Sequence, residues 1–230
     1  AEDGIRDIGV TGVQTCALPI LSMLLERMLY SCDLVAMRLF YASPQAIGYY
    51  ATGLSLSQAF LTISGSLSPV HLQMLVYHRS EKEQKKFNSL VHTMLVENVR
   101  MIGLAIIGLP FLPMVIHLLF GRDISSTQGV LGLIIAAASF QLLFSSGRII
   151  NVANGELAQM RSMLFVVLLL QTIGFGIAIY YSKSPDPEST EFAVSQASCC
   201  ALVSILCNLT LAVYAINMGL LQSKQPFPWK

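Results

Sequence analysis

Residues 24–43 read LLERMLYSCDLVAMRLFYAS, an apolar stretch of membrane-helix length that contains two acids and two arginines. Charge at bilayer depth is costly, so such residues usually face a protein interior or a water-filled path. At about 100° per residue, the polar side chains fall on two adjoining stripes of the helix. The first stripe contains Glu26, Tyr30 and Asp33, together with Met37, and the second contains Arg27, Ser31 and Arg38. The pattern predicts a helix with one polar and one apolar face.

The centre of this stretch carries Asp33, whose short side chain cannot reach water at either end of a membrane helix. Two interpretations follow from the residues alone. The charges pair with one another and hold helices together, or they line a polar pathway through the membrane.

The composition of the whole chain indicates a membrane protein with many spans. Of the 230 residues, 54% are apolar and 12% charged, and the mean hydropathy is +0.63. A soluble domain of this length needs far more charge on its surface. The formal net charge is +1, so the sequence gives no indication of a nucleic-acid partner.

The first twenty residues, AEDGIRDIGVTGVQTCALPI, have neither helical nor strand periodicity and lack the basic and apolar regions of a signal peptide. The run GVQTCALPI resembles the conceptual translation of a sequencing-library adapter. We therefore expect residues 1–20 to be an artefactual leader.

From residue 21 onward, the rule that about 20 apolar residues cross the hydrocarbon core predicts six transmembrane helices. Pro44 should end the first helix, and Pro69 should kink or end the second. The predicted spans are 21–43, 46–75, 90–120, 125–146, 160–181 and 192–220, followed by a tail at 221–230.

The connections between the spans predict orientation. The polar stretch YHRSEKEQKKFN at 77–88 suggests a short interfacial helix, and Glu97 and Arg100 are spaced for an ion pair on one helix face. If the 77–88 connection is cytoplasmic, Arg148, Arg161 and the basic tail share that side. The excess of positive charge then predicts a cytoplasmic C-terminus.

Chemistry-bearing motifs are scarce. The histidines and cysteines lack the spacing of metal ligands, and no phosphate-binding loop or nucleophile–base set occurs. The sequence predicts no enzyme activity, no catalytic residue, no metal site and no cofactor.

The order of features resembles a known family. A charged first helix with an internal Asp is followed by AIGYYATGLSLSQAF, a Pro near the end of the second helix (SLSPVHLQML) and a basic connection. A helix finishing in LLFG and further apolar spans then continue to residue 220. This order is similar to that of the C-terminal half of bacterial polysaccharide flippases, in the superfamily that also holds multidrug and toxin extrusion transporters.

The resemblance implies a six-helix bundle that forms one lobe of a two-lobed, alternating-access transporter in the bacterial cytoplasmic membrane. Its substrate would be an undecaprenyl-pyrophosphate-linked oligosaccharide, flipped outward for polysaccharide biosynthesis. Arg27 and Arg38 would contact the pyrophosphate with Tyr30 as neighbour, because arginine forms bidentate bonds to such anions. Asp33 would bind a coupling ion.

The same resemblance implies an N-terminal lobe that would face this chain across a central cavity. Arg27, Asp33 and Arg38 should then look toward that cavity and be exposed in the present chain. Two other functions remain open. An ion-coupled multidrug antiporter would use Asp33 as a cation site, whereas a non-transporting membrane scaffold would use the charges only to hold helices together.

Overall fold

A computed structural model of the chain describes residue 28 and residues 31–65, 68–120, 128–155, 157–182 and 189–223. Within these ranges every regular element is a helix, and no strand occurs. The predicted all-helical class is confirmed. The predicted leader and residues 224–230 of the predicted tail lie outside the described residues.

The helices follow one another with short connections. In chain order they are α1 (31–39), α2 (Pro44–Gly65), α3 (Ser68–Ser80), α4 (Gln84–Gly108), a 3₁₀ turn (Leu109–Phe111), α5 (Leu112–Phe120), α6 (Gln128–Asn154), α7 (Leu157–Tyr181) and α8 (Thr190–Ser223).

The turn between α1 and α2 lies where the sequence predicts it. Ser43 accepts a hydrogen bond from the Ala46 N–H at 3.2 Å through its side-chain oxygen, and its own N–H donates to Gln196 Oε1 at 2.9 Å. Pro44 opens α2 at a position where its lack of an N–H costs nothing. The turn is thereby tied to α8.

The second predicted span differs from the structure in its extent. It is divided into α2, which ends at Gly65, and α3, which begins at Ser68. Pro69 therefore lies in the first turn of α3, where a proline is tolerated, rather than inside a continuous helix. The helix then continues to Ser80, past the predicted end at residue 75.

The polar stretch at 77–88 does not form a separate helix. It is shared between the end of α3 and the start of α4, with a turn at 81–83. Lys82 takes a left-handed conformation there, with φ of 59°. His78 and Lys86, one on each helix, both contact Glu83, so the polar residues stabilise the turn.

The third predicted span is also divided. Pro110 lies in the 3₁₀ turn and Pro113 in the first turn of α5. The regular helix is interrupted there because each proline lacks a backbone donor. The fourth predicted span corresponds to α6, which runs to Asn154 rather than ending at residue 146. Gly155 makes the turn after it, with φ of 87°, a conformation that glycine adopts readily.

The central pair of the fold is α6 and α8, which make the most extensive helix contacts. A Cβ added to Gly147 of α6 would lie 2.7 Å from the Ala215 Cβ and 2.8 Å from the Ala215 carbonyl carbon of α8. Only glycine permits this approach of the two backbones, a use of small residues that is typical of membrane helices.

Three apolar clusters surround this pair. The first joins α1, α2, α6, α7 and α8 around the buried side chains of Met37, Tyr50 and Phe175. The second joins α6, α7 and α8. The third packs α3 and α4 onto the C-terminal half of α6, so α3 and α4 form a peripheral hairpin.

Among the described residues, four helical stretches are long and apolar enough to cross a membrane: Gln84–Met114, Gln128–Asn154, Gln159–Tyr181 and Thr190–Leu221. Their length and composition support a membrane protein. Many of their outward side chains are large and apolar, such as Ile107, Leu170 and Leu206, as expected for surfaces in contact with lipid.

Candidate functional site

The candidate site is built around Asp33 of α1. Only 5% of this residue is exposed, although the sequence led us to expect an exposed side chain. Its neighbours Ala36 and Met37 are also buried, whereas Ser31, Val35 and Arg38 are exposed. The stripe of α1 that carries Asp33 therefore faces the interior of this bundle.

Three other helices supply hydrogen-bond donors to the Asp33 carboxylate. Tyr50 of α2 donates its hydroxyl to Oδ2 at 2.5 Å, and Ser204 of α8 donates to the same oxygen at 3.2 Å. Gln171 of α7 donates its side-chain amide to Oδ1. The thiol of Cys32 lies 3.7 Å from Oδ1 as a weaker donor. One carboxylate thus joins α1, α2, α7 and α8.

The two hydroxyls also contact each other. Tyr50 OH and Ser204 Oγ are 2.8 Å apart. Because each hydroxyl has a single proton, when Tyr50 donates to Asp33, Ser204 can donate either to Tyr50 or to Asp33. The ring of Tyr50 is fixed by an edge contact with Phe175, at 6.1 Å between centroids. The hydroxyl positions are set while their protons remain able to rearrange.

A small cavity adjoins this network. Its volume is about 20 Å³, which is room for about one water molecule or an ion of similar size. Apolar side chains of α2 and α6 form part of its wall. Its polar lining consists of Asp33, Tyr50, Ser57, Gln141, Gln171, Ser204 and Asn208.

Gln171 contributes a further acceptor. With its amide nitrogen donating to Asp33, its Oε1 is buried and has no hydrogen-bond partner within the described part of the chain. A buried acceptor without a donor is costly. The carboxylate oxygens of Asp33 and this amide oxygen are hard oxygen ligands of the kind that alkali and alkaline-earth cations prefer.

The donors around Asp33 are all neutral. No Lys, Arg or His lines the cavity, and no ion pair involves Asp33 within the described ranges. Among the described residues, no cationic side chain therefore balances the negative charge of the carboxylate. The described residues contain no group of three or more His, Cys, Asp or Glu side chains arranged for a metal ion.

The structure separates the two predicted site residues that it describes. Asp33 is buried in the bundle, whereas Arg38 is exposed on its surface. Five residues along a helix correspond to a rotation of about 140°, which is too wide for two neighbouring stripes. Arg27 and Tyr30, the other predicted substrate-binding residues, lie outside the described residues.

Five polar contributors were not predicted from the sequence: Tyr50, Ser57, Gln141, Gln171 and Ser204. The available signal was a polar side chain inside an apolar run, as with Ser204 in ALVSILC at 201–207. Asn208 also lines the cavity. Isolated polar residues within membrane helices usually mark such interior sites.

Comparison with known proteins adds no relative: no protein-family model, no curated protein and no solved structure matches this chain.

Proposed function

We propose that this chain forms one lobe of an ion-coupled membrane transporter, and that Asp33 binds the coupling cation. The observation that carries this proposal is a buried carboxylate whose donors, within the described part of the chain, are all neutral, beside a cavity of single-ion size. A charge placed at membrane depth without a cationic partner is typical of ion or proton sites in transporters.

The position of Asp33 suggests how ion binding would act on the helices. When the site is empty, the carboxylate holds Tyr50, Gln171 and Ser204 through hydrogen bonds from three helices. A bound cation competes with these donors for the same oxygens. Occupancy would thus change how α1, α2, α7 and α8 pack, and differential packing is what a coupling ion must produce.

The proposed substrate is an undecaprenyl-pyrophosphate-linked oligosaccharide, moved across the bacterial cytoplasmic membrane by alternating access. In this proposal the chain is a six-span lobe with a cytoplasmic C-terminus, working with an N-terminal lobe of the same protein. The exposure of Arg38 supports a role in contacting an anionic headgroup, because a guanidinium on the surface is free to form bidentate bonds to pyrophosphate. Arg27 and Tyr30 would join it there.

A multidrug antiporter is the second candidate. It is favoured by the separation of Asp33 from Arg38, since a cation site needs no arginine. A third interpretation is a membrane scaffold in which Asp33 only joins helices. It is supported by the four-helix hydrogen-bond network, but the unpartnered oxygen of Gln171 and the adjoining cavity favour a site over a purely structural contact.

Alanine substitutions in the complete transporter test the proposal. Arg27→Ala, Asp33→Ala and Arg38→Ala should each reduce export of surface glycan at equal protein level, and Arg100→Ala, an exposed cation on α4, is the control. Normal export in all three variants would contradict the flippase assignment. Drug sensitivity with normal glycan would favour the antiporter, and loss of folded protein from every Asp33 variant would favour the scaffold.

A further inference from the structure

A second surface with its own chemistry lies on the peripheral hairpin, remote in sequence from Asp33. The helix α3 has 13 residues and is not among the candidate membrane spans in the described part of the chain. Its inner side packs on α4, with Leu75 fully buried against the cluster that holds Phe87, Val91 and Met94. Among the described residues of α3, Leu75 is the only one that is buried.

The outer side of α3 is apolar. Val70, Met74 and Tyr77 are 53%, 43% and 59% exposed, and their spacing of four and three residues places them on one stripe of the helix. Tyr77 lies nearest the polar end, as is usual for an aromatic residue at a membrane–water boundary. This stripe would be costly in water and is suited to the edge of a lipid layer.

The turn that follows carries positive charge. Glu83 is occupied by Lys86 at 2.7 Å and by His78 at 2.8 Å. Lys82 and Lys85 are exposed, and within the described residues neither has a carboxylate within ion-pair distance. Glu81 is exposed beside them, which leaves the turn with an excess of cations.

The turn also lies at one end of a membrane-crossing helix, since the candidate span Gln84–Met114 begins immediately after it. A short helix with an apolar stripe that ends in exposed lysines has the features of an interfacial element. Lysine side chains at such a position extend their ammonium groups to the headgroup level. The charge selects anionic lipids, which attract juxtamembrane cations.

We propose that the outer face of α3 and the α3–α4 turn bind anionic phospholipids, with Val70, Met74 and Tyr77 at the acyl boundary and Lys82 and Lys85 on the headgroup phosphates. Arg79 is held over the Phe87 ring at 5.6 Å and anchors the turn against α4. The lipid site is independent of the cation site at Asp33 and of the transported substrate.

Lipid binding to the purified full chain tests this proposal. Native mass spectrometry should count phosphatidylglycerol and phosphatidylcholine retained at equal concentration. Each lysine near an anionic surface contributes about a fivefold gain in binding. The double variant Lys82→Gln/Lys85→Gln should therefore lower the preference for phosphatidylglycerol by about 25-fold, while Arg100→Gln on the same hairpin leaves it unchanged.

Three results would overturn the proposal. The double variant could keep its preference for phosphatidylglycerol, Arg100→Gln could lose as much preference as the double variant, or millimolar inorganic phosphate could displace the lipid completely. The last result would indicate a site for free phosphate instead.

A second variant examines the apolar stripe. Met74→Gln should weaken retention of both lipids by a similar factor, because it removes acyl contact and leaves the charge unchanged. Circular dichroism should confirm that each variant keeps the helical content of the parent chain. An effect of Met74→Gln on phosphatidylglycerol alone would contradict the assignment of Met74 to the acyl boundary.

Discussion

Two carboxylates in this molecule are surrounded by donors, and the chemistry of those donors differs. Asp33 is buried and accepts hydrogen bonds from Tyr50, Gln171 and Ser204, all of them neutral. Glu83 is partly exposed and contacts Lys86 and His78. Neutral donors hold a carboxylate in place without balancing its charge, whereas a cationic donor balances it. The first arrangement can take up a cation and the second serves to fix a turn.

The largest effect should come from removing the buried acid. Asp33→Ala removes the acceptor shared by Tyr50, Gln171 and Ser204. Tyr50 and Ser204 can still bond to each other, but the Gln171 amide loses its acceptor, and a buried group left unpaired costs about 1–3 kcal/mol. We expect the free energy of unfolding to fall by about 3 kcal/mol, measured by SDS titration in mixed micelles. Glu83→Ala, at the exposed turn, should change it little. Equal losses in the two variants would remove the distinction between the two carboxylates.

The next test converts the buried site into one that resembles the turn. Gln171→Lys places a cation beside Asp33 and should weaken binding of a proton or small cation by about 10- to 1,000-fold, the range by which a neighbouring opposite charge changes the proton affinity of a carboxylate. Gln159→Lys, at an exposed position of the same helix, is the control. Cation-dependent thermal unfolding measures both variants. Unchanged binding in Gln171→Lys would show that the cation binds elsewhere.

A smaller effect is expected from Tyr50→Phe. This change deletes the hydroxyl that donates to Asp33 at 2.5 Å and keeps the ring in contact with Phe175. A hydrogen bond to a charged group contributes about 1.5–3 kcal/mol, so the free energy of unfolding should fall by about 2 kcal/mol. Tyr49→Phe, at the preceding residue, is the matched control. A loss of equal size in both variants would argue against a special role for the Tyr50 hydroxyl.

The smallest effect concerns Glu83 and pH. Hydrogen bonds from Lys86 and His78 lower the pKa of Glu83 below its ordinary value. Its contribution to the turn is therefore complete above the ordinary glutamate pKa of about 4.3 and is lost as the pH falls through the lower folded pKa. After correction for the intrinsic pH dependence of exchange, the protection of the amides at 78–87 should fall in acid more in the parent chain than in Glu83→Gln. An identical acid response in both would exclude Glu83 as the cause.

The sequence predicts the helical class well and draws attention to Asp33, for a physical reason. Apolar runs of membrane length and an acid at the centre of one of them are local features, readable from consecutive residues. The prolines at 44, 110 and 113 and the Asn154-Gly155 turn also act locally, and the corresponding helices end or change there.

The partners of Asp33 could not be predicted in the same way. Gln171 and Ser204 are 138 and 171 residues away in sequence, and only the packing of α7 and α8 brings them to α1. The predicted exposure of α1 side chains was wrong for Asp33 and correct for Arg38, for a related reason. Its polar stripe was expected to face outside this bundle, but the surrounding helices cover Asp33 and leave Arg38 exposed.

The predicted pairing of Glu97 shows the same limit on a smaller scale. Its spacing from Arg100 allows an ion pair within one helix, yet Glu97 Oε2 lies 3.5 Å from His71 Nε2 on α3. Within the described residues no ion pair joins Glu97 to Arg100. A partner on a neighbouring helix replaced the one that local spacing offers.

The most direct test of a cation site at Asp33 is the cation response of Asp33→Asn. Thermal unfolding of the purified chain should be followed in sodium, potassium and choline salts at equal ionic strength and across a pH series. A ligand that binds only the folded state stabilises it by about 2.7 kcal/mol at 100 times its Kd. We expect sodium or acid to stabilise the parent chain and this stabilisation to be lost in Asp33→Asn. The same cation and pH response in both proteins would contradict this expectation.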